Sequence, residues 1–516
     1  MSGGVVIVGG GPVGLSAAIL LHRAGVGCVV LERDEVPGAH PKARGVRVRT
    51  MELFAQWGLA EKIRRGALPP EANRFIYCDS LVGDEIARSP EIEGDASALS
   101  PQTVCRVPQS GVEETLRDYV VGLAGVDYRS GVRVVGLDDA GPHVTVRTDD
   151  GEHLSAEYVI GADGVSSTVR RVLGVELEGP ATLGWGQSIY WQADLGDLVA
   201  DRLCIQFMTG DRLGHSSSIA TVDGRYRWIT MVMRRGEGEL PAQLADEDAA
   251  AIVTRAVGRD VDPKILDIAT WRISAQVAKS WRRGRVFLAG DAAHSFPPTG
   301  GFGMNTGVQD VHNLVWKLAL VINELADARL LDTYEVERKP VAASNAAWSV
   351  ANGGRFRAIG RAIANDDKVE LAQLLDEQRG HVDASAQDLG FGYAEGAVLP
   401  TANEDRSEPL TTARTGHRFP ESYVRIGSEY GSSVLCLTDR FVLATADAAG
   451  WSSAVSVSAA ALGVPIGLAE TDNTEVLGGH DAVLVRPDGI VAWVVPPIAE
   501  SERVSVLQRA VRALLW

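Results

Sequence analysis

Cysteine is scarce in this chain: five residues in 516, Cys28, Cys78, Cys105, Cys204 and Cys436, an odd number with no Cys-x-x-Cys pair. That excludes a disulfide framework and a dithiol redox centre, and predicts a reducing, cytoplasmic compartment. The ten histidines show no ligand spacing with acids or cysteines, so no metal site is expected. No run reaches the roughly 18 uncharged apolar residues of a membrane span. The nearest, 451–469, is broken by Ser, Gly and Pro and is predicted to be a core helix followed by a strand. The N-terminus has neither a basic region nor a cleavage site and runs directly into Val5-Val6-Ile7-Val8, so no secretory leader is expected. Basic residues are in deficit, 50 Lys and Arg against 67 Asp and Glu, for a net charge of −17. This argues against a nucleic-acid or anionic-membrane partner, while a local arginine cluster can still hold an anionic cofactor.

What is present is enough for a large core. Hydrophobic residues make up 45% of the chain and charged residues 23%, as in soluble globular proteins. A chain of 516 residues exceeds the size at which one core stops growing, so two or three domains are expected. Residues 4–9, a glycine cluster, the small and apolar run 15–24, and 28–31 read as strand, turn, helix, strand, the opening unit of a doubly wound sheet. Helices are predicted at 50–57, 112–124 and 308–325, alternating strands over 131–161, and loop and edge strands over 68–100. The expected layout is a cofactor domain in two parts, 1–183 and 276–383, interrupted by a substrate sheet over 184–275. A polar, turn-rich linker, 384–408, then leads to a third domain, 409–516.

Three motifs carry chemistry. Gly9-Gly10-Gly11-Pro12-Val13-Gly14 satisfies G-x-G-x-x-G between a strand and a helix, where glycines admit a pyrophosphate and the helix N-terminus supplies N–H donors. Glu32, at the end of the next strand, is the carboxylate expected to take ribose hydroxyls, and it would repel a 2′-phosphate. The bound group is therefore NAD or the adenosine half of FAD. The second motif decides for FAD. A strand at 286–289 ends in Gly290-Asp291-Ala292-Ala293-His294, followed by Pro297-Pro298-Thr299-Gly300-Gly301-Phe302-Gly303-Met304-Asn305 and a helix. Such an aspartate can hold a ribityl hydroxyl, and the helix N-terminus can stabilise negative charge on a reduced flavin. The third motif is Gly161-Ala162-Asp163-Gly164-Val165-Ser166-Ser167-Thr168-Val169-Arg170. A second G-x-G-x-x-G is absent, so a nicotinamide nucleotide is expected to bind only transiently.

With these three motifs in order over 4–340, the sequence resembles the class A flavoprotein aromatic hydroxylases, the group that includes phenol hydroxylase, 2,4-dichlorophenol monooxygenase and polyketide antibiotic hydroxylases. Pro41-Lys42-Ala43-Arg44-Gly45-Val46 and Cys105-Arg106-Val107-Pro108-Gln109 also look like FAD-contacting stretches of that family. The resemblance implies an α/β fold: a Rossmann-like FAD-binding domain, an inserted β-sheet substrate domain and, from Gly416-His417-Arg418-Phe419-Pro420 and 484–493, a thioredoxin-like C-terminal domain without its redox pair. It implies Gly9, Gly11 and Gly14 at the pyrophosphate and Glu32 at the ribose. Arg33, Arg44 and Gln109 would lie along the adenosine, ribityl and diphosphate, and Asp163 near the pyrophosphate. Asp291 would hold the ribityl chain or phosphate, and Gly301, Met304 and Asn305 would offer backbone groups to the flavin ring.

The implied reaction is NAD(P)H-dependent reduction of FAD, addition of O2 to give a flavin C4a-hydroperoxide, and hydroxylation of a phenolic or polyketide-like ring. Pro298, by its carbonyl, and Arg170 are the residues expected nearest the chemistry. Tyr190, His215, Arg225 and Trp228 are substrate candidates by location. Baeyer–Villiger or epoxidation chemistry, and a non-catalytic FAD-binding role, stay open as alternatives, as does a homo-oligomer. A flavin halogenase is disfavoured because Trp-x-Trp-x-Ile-Pro is absent.

Overall fold

Val5–Val8 has no polar side chain, which suits a strand covered on both faces. In the computed structural model, which describes residues 4–38, 40–90, 99–210, 216–236, 240–400 and 410–516, it lies inside a six-stranded sheet. The order is Arg282–Arg283, Val286–Leu288, Tyr158–Gly161, Val5–Val8, Cys28–Glu32, Val126–Ser130, all parallel except the first. Pro12 opens helix Pro12–Arg23, its fixed φ matching a first-turn position and its missing N–H costing nothing there. This helix packs against the long helix Gly303–Ile322, and both press on the sheet through Leu15, Ile19, Val308, Val311 and Leu314, all buried. Each such aliphatic side chain contributes about 1.5–3 kcal/mol relative to exposure. A three-stranded meander, Val134–Asp138, Val144–Thr148 and His153–Ala156, follows the turn signals in the sequence.

The second sheet has seven strands, in the order Lys264–Ile273, Gly184–Gln192, Arg227–Arg235, Ser216–Thr221, Gln206–Gly210, Phe75–Cys78, Glu85–Arg88. Two of them come from 75–88, which the sequence reading placed in the cofactor domain. Gln206–Gly210 pairs in parallel with Phe75–Cys78, a long-range pairing that local patterning does not reveal. One face of this sheet is sealed by helix Asp246–Val257 over Ile189, Trp191, Phe207, Ile219 and Trp228. The other face carries Tyr190, Ala220, Ile229 and Met231 and turns toward the cofactor domain.

The C-terminal domain is a mixed six-stranded sheet of the thioredoxin-like type. Its order is Glu429–Ser432, Tyr423–Ile426, Ile466–Glu470, Phe441–Thr445, Ala482–Val485, Val491–Val495. Helices Ala448–Leu462 and Arg503–Leu515 cover one face together with Trp316 of the long helix, so its core is shared with the cofactor domain. The expected linker is a correction as far as residue 400. Ser385–Leu389 is helical, Tyr393, Ala397 and Val398 are buried, and Tyr393 N–H bonds to the Gly416 carbonyl at 3.0 Å. Polar composition there serves hydrogen bonding inside the molecule; 401–409 lie outside the described residues. No described helix is long and apolar enough to cross a membrane.

Candidate active site

The first motif adopts the geometry its glycines permit. Gly9 has φ +111°, and a Cβ there would stand 2.4 Å from the Ala162 carbonyl oxygen. A Cβ on Gly14 would stand 1.9 Å from the Gly9 carbonyl oxygen, so the helix meets the turn backbone to backbone. Gly11 is different: nothing lies within 4 Å of its would-be Cβ, which leaves the helix N-terminus open. Glu32 accepts hydrogen bonds from the N–H of Gly10 (2.6 Å) and of Asp34 (2.9 Å), which fix the carboxylate beside the turn. Arg33 lies half exposed next to Asp34.

The stretches around Arg44 and Gln109 lie side by side. Val46 and Cys105 exchange both backbone hydrogen bonds, and Gln109 N–H bonds to the Ala43 carbonyl at 2.7 Å. Arg44 donates to the Ile205 carbonyl (2.8 Å) and Gln206 Oε1 (3.0 Å), bridging from the cofactor domain to the second sheet. Arg47 and Arg106, which the sequence reading did not single out, join it. Arg47 donates through Nε to the Gly300 carbonyl at 3.1 Å, and Arg106 to Asn73 Oδ1 at 2.8 Å. None of the three has an ion-pair partner among the described residues. Burial pulls Arg44 down to about 10, and burial together with Arg47 and Arg44 pulls Arg106 down to about 9. Within a chain of net charge −17, this is a cationic cluster; Asp388 and Asp383 act on Arg47 only at longer range, without an ion pair.

Asp291 stands on the glycine turn after strand Val286–Leu288. Its carboxylate takes no hydrogen bond from any described residue and is open to solvent, with protein crowded around it. Desolvation raises its pKa, with His294 and Lys42 opposing and Asp310 reinforcing. The turn that carries it is held from below: Asp310 accepts from Gly290 N–H (3.2 Å) and Arg338 Nε (3.0 Å) and pairs with His294 Nε2 (2.8 Å). Asp310 and Arg338 escaped the sequence reading, although an acid on the apolar face of helix Gly303–Ile322 was a signal. Gly300 (φ +136°) and Gly301 (φ +67°) bend the following loop, and nothing lies within 4 Å of a Cβ at Gly301. Met304 and Asn305 then open the helix, whose first N–H groups have no intrahelical acceptor. The Asn305 side chain accepts from Arg47 N–H (2.8 Å) and donates to the Gly45 carbonyl (3.1 Å), stapling the two loops.

An open glycine turn, an exposed and unpaired carboxylate, three neighbouring arginines without an ion pair among the described residues and a free helix N-terminus form a donor set that suits FAD. The group needs anion donors for its diphosphate, an acceptor for its ribityl hydroxyls and N–H groups for its pyrimidine edge.

Several expected residues stand elsewhere or are already engaged. Asp163 accepts from Thr168 N–H (2.6 Å), Val169 N–H (3.1 Å) and the Ser167 hydroxyl, so it caps helix Thr168–Val172. Arg170 is buried and its guanidinium donates to the Ala292 (2.8 Å) and Val165 (2.7 Å) carbonyls, tying the third motif to the second. The Pro298 carbonyl accepts from Gly301 N–H at 3.2 Å and so is used within its own loop. Trp228 is 0% exposed and stacks with Trp191 under helix Asp246–Val257, because strand alternation turns it to the sealed face. Arg225 is exposed and paired with Asp194 at 3.0 Å. Of the substrate candidates only Tyr190 lies on the face toward the cofactor domain, with His40 at 6.1 Å between ring centroids; His215 lies outside the described residues. A surface groove of about 760 Å³ lined by Arg282, Asp332, Glu335 and Lys339 shares no residue with this site.

Comparison with known proteins gives the family. Residues 3–349 match the family described as FAD binding domain, and residues 412–515 the one described as aromatic-ring hydroxylase, C-terminal. Tetracenomycin A2 monooxygenase-dioxygenase of Streptomyces glaucescens is 34% identical, over 98% of this chain and 96% of its own. The 4-methyl-5-nitrocatechol 5-monooxygenase of a Burkholderia species is 33% identical, over 99% and 97%. Among solved structures, a ternary complex of aklavinone-11 hydroxylase with FAD and aklavinone superposes with a TM-score of 0.85 at 30% identity, covering 99% of this chain and 98% of that one.

Proposed function

Since the chain belongs to the FAD-dependent aromatic-ring hydroxylases, we propose that it uses NAD(P)H and O2 to hydroxylate a phenolic, polyketide-like ring system of more than one ring. The observation that carries the reading is the placement of one cofactor cleft against the free face of a second sheet. The arginine cluster lies at that seam, with Arg44 reaching Gln206. Bound FAD supplies the electron and oxygen chemistry. The chain's own groups bind, orient and exclude water.

In this reading Gly9, Gly11 and Gly14 admit the diphosphate, Glu32 takes the adenosine ribose and Arg33 lies near the adenosine. Asp291 accepts from the ribityl chain, its unpaired carboxylate being the support for that role. Gly301, Met304 and Asn305 offer N–H groups to the pyrimidine edge. Arg44, with Arg47 and Arg106, faces anionic groups. Gln109 fixes the loop that carries Arg44, by a hydrogen bond from Ala43 N–H (3.4 Å). Arg170, Asp163 and Asp310 hold the loops. Tyr190 lines the substrate face. With only one dinucleotide fold, the nicotinamide nucleotide visits rather than resides. Four of the five cysteines are buried thiols, which suits a reducing cytoplasm.

The test is NAD(P)H oxidation and O2 uptake by the FAD-loaded protein against single-ring and fused-ring phenols, with isotopically heavy O2 and mass analysis of the product. Substrate-stimulated oxidation with one heavy oxygen in the product supports the proposal. Oxidation that yields only hydrogen peroxide for every phenol, or heavy oxygen placed in an ester or epoxide, contradicts it.

A further inference from the structure

Four aromatic rings converge beside the seam between the second sheet and the glycine loop. Phe75 projects from strand Phe75–Cys78, Trp348 and Phe356 from helix Thr333–Ala364, and His381 from helix Lys368–Val382. The His381 ring lies 5.5 Å from Phe75, 5.5 Å from Trp348 and 5.1 Å from Phe356, centroid to centroid. Trp348 leads directly to the cofactor loop: it is 5.2 Å from Phe302, and a Cβ on Gly300 would stand 2.6 Å from its ring. Phe75 lies opposite Gln206 in the parallel register, so it shares a sheet face with the residue that Arg44 reaches. His381 is thus set between the sheet's cofactor-facing side and the loop that turns under the cofactor.

Its surroundings do not account for an imidazole. His381 is 5% exposed, Nδ1 is enclosed without a partner, and no described residue hydrogen-bonds either ring nitrogen. Burying a polar group unpaired is costly, and a fourth hydrocarbon ring would complete the box without that cost. The helix is also aimed. Gln378, one turn earlier on the same helix face, exchanges hydrogen bonds with the Tyr77 hydroxyl at 2.8 and 3.1 Å, which locks the helix to the sheet. The charged groups that face His381 are Arg47 and Arg106 from the cofactor loops and Arg355 from the neighbouring helix, with Glu377 3.9 Å from Arg355. Burial first, and then those cations, hold the imidazole at about 3, so it stays neutral and one ring nitrogen is always an acceptor.

We propose that His381 reads the substrate's phenolic hydroxyl, accepting its hydrogen bond from within the aromatic box and so selecting hydroxylated rings over their ethers. This rests on the hydroxylase reading above and assigns that site a specificity residue. A site that must hydrogen-bond a substrate hydroxyl rejects an analogue lacking it strongly, because its own buried polar group is then left unpaired.

The experiment compares 1-naphthol and 2-naphthol with the corresponding methoxynaphthalenes, by titration of flavin absorbance in the FAD-loaded wild type and in His381→Phe and His381→Asn. The wild type is expected to bind a naphthol at least about tenfold more tightly than its methyl ether, in line with the discrimination such sites achieve. His381→Phe should keep its FAD and melting temperature while the ratio falls to near one, and His381→Asn should recover part of it. An unchanged ratio in His381→Phe overturns the proposal. So does loss of FAD or of folding in His381→Phe alongside a wild-type ratio in His381→Asn, which makes the residue structural. If no phenol binds or stimulates NAD(P)H oxidation in the wild type, the hydroxylase reading itself falls.

Discussion

Two regions of this molecule bury charge, and they do it in opposite ways. Where the long helix meets the C-terminal domain, the buried charges are partnered. Glu337 accepts from Lys317 (2.9 Å), Arg486 (2.9 Å), Asn313 and the Ala397 N–H; Arg486 also holds Asp488; Glu52 takes both Arg49 (2.8 Å) and Arg418 (3.1 Å). In the cofactor cleft, Arg47 is buried, Arg44 and Arg106 are half-buried and Asp291 is exposed, and none of the four has an ion-pair partner among the described residues. Desolvating a charge is expensive, and a fold tolerates it when the partner comes from the chain itself or from something the chain binds. The first region is therefore architecture, and the second is what a site proposed to bind an anionic cofactor would require. The two should respond differently to removal of a charge.

The largest effect is expected at the paired region. Glu337→Ala leaves Lys317 without its carboxylate and Arg486 with Asp488 alone, and breaking such a buried pair costs about 3–5 kcal/mol. Denaturant unfolding should show this loss, with FAD affinity falling only as the fold does. At the cleft, Asp291→Asn should leave the apoprotein's melting temperature unchanged or slightly higher, because no described partner is lost. It should weaken FAD by roughly tenfold to a hundredfold, the worth of about 1.5–3 kcal/mol for a hydrogen bond to a charged group. A dissociation constant equal to wild type removes Asp291 from the site.

Asp388 tests the boundary between the two regions. Its carboxylate accepts from the Arg49 N–H at 3.2 Å and caps helix Val48–Gln56 from far along the chain; its other oxygen is unpartnered. Burial raises it from 3.8 to about 6, against the pull of Arg47. The folded state therefore holds this proton more tightly than the unfolded state. Its contribution is fully present below pH 3.8 and is lost as pH rises toward and through about 6. Asp388→Asn should flatten that part of the stability profile, by about 1–3 kcal/mol between pH 4 and pH 7. Identical profiles for variant and wild type would show that the acid is not the source. The smallest effect is expected at Arg225, which is exposed and paired only at the surface. Arg225→Ala should change neither melting temperature nor turnover, and a raised KM would return it to the substrate site.

The comparison also explains what the sequence could and could not reveal. Motifs whose function needs contiguous residues were legible: the glycine turn with Glu32, the strand-end Asp291, and the loop that turns into helix Gly303–Ile322. Relations set by long-range register were not. Residues 75–88 join the second sheet by pairing with strand Gln206–Gly210, and Tyr190 and Trp228 face opposite ways because Tyr190 pairs with Ile229. Arg170 and Asp163 carry their motif's residue types but meet backbone groups, which only the folded loop discloses. Arg47, Asp310 and Arg338 were missed because a charge's meaning depends on whether it ends up paired.

The strand order of the first sheet bears on how the protein is made. Tyr158–Gly161 lies between Val5–Val8 and Val286–Leu288, so one edge of it stays unpaired until residue 288 has been synthesised. At roughly 5–20 residues per second, a nascent chain waits on the order of ten seconds with that apolar edge open. The intervening segment that builds the second sheet occupies this interval, and it can fold at once, since strands Phe75–Cys78 and Glu85–Arg88 have already left the ribosome. An open Tyr158–Gly161 edge is a template for pairing with other chains. Slowed translation across the second sheet is therefore where aggregation during expression would begin, and chaperone capture of ribosome-stalled chains ending before residue 286 would reveal it.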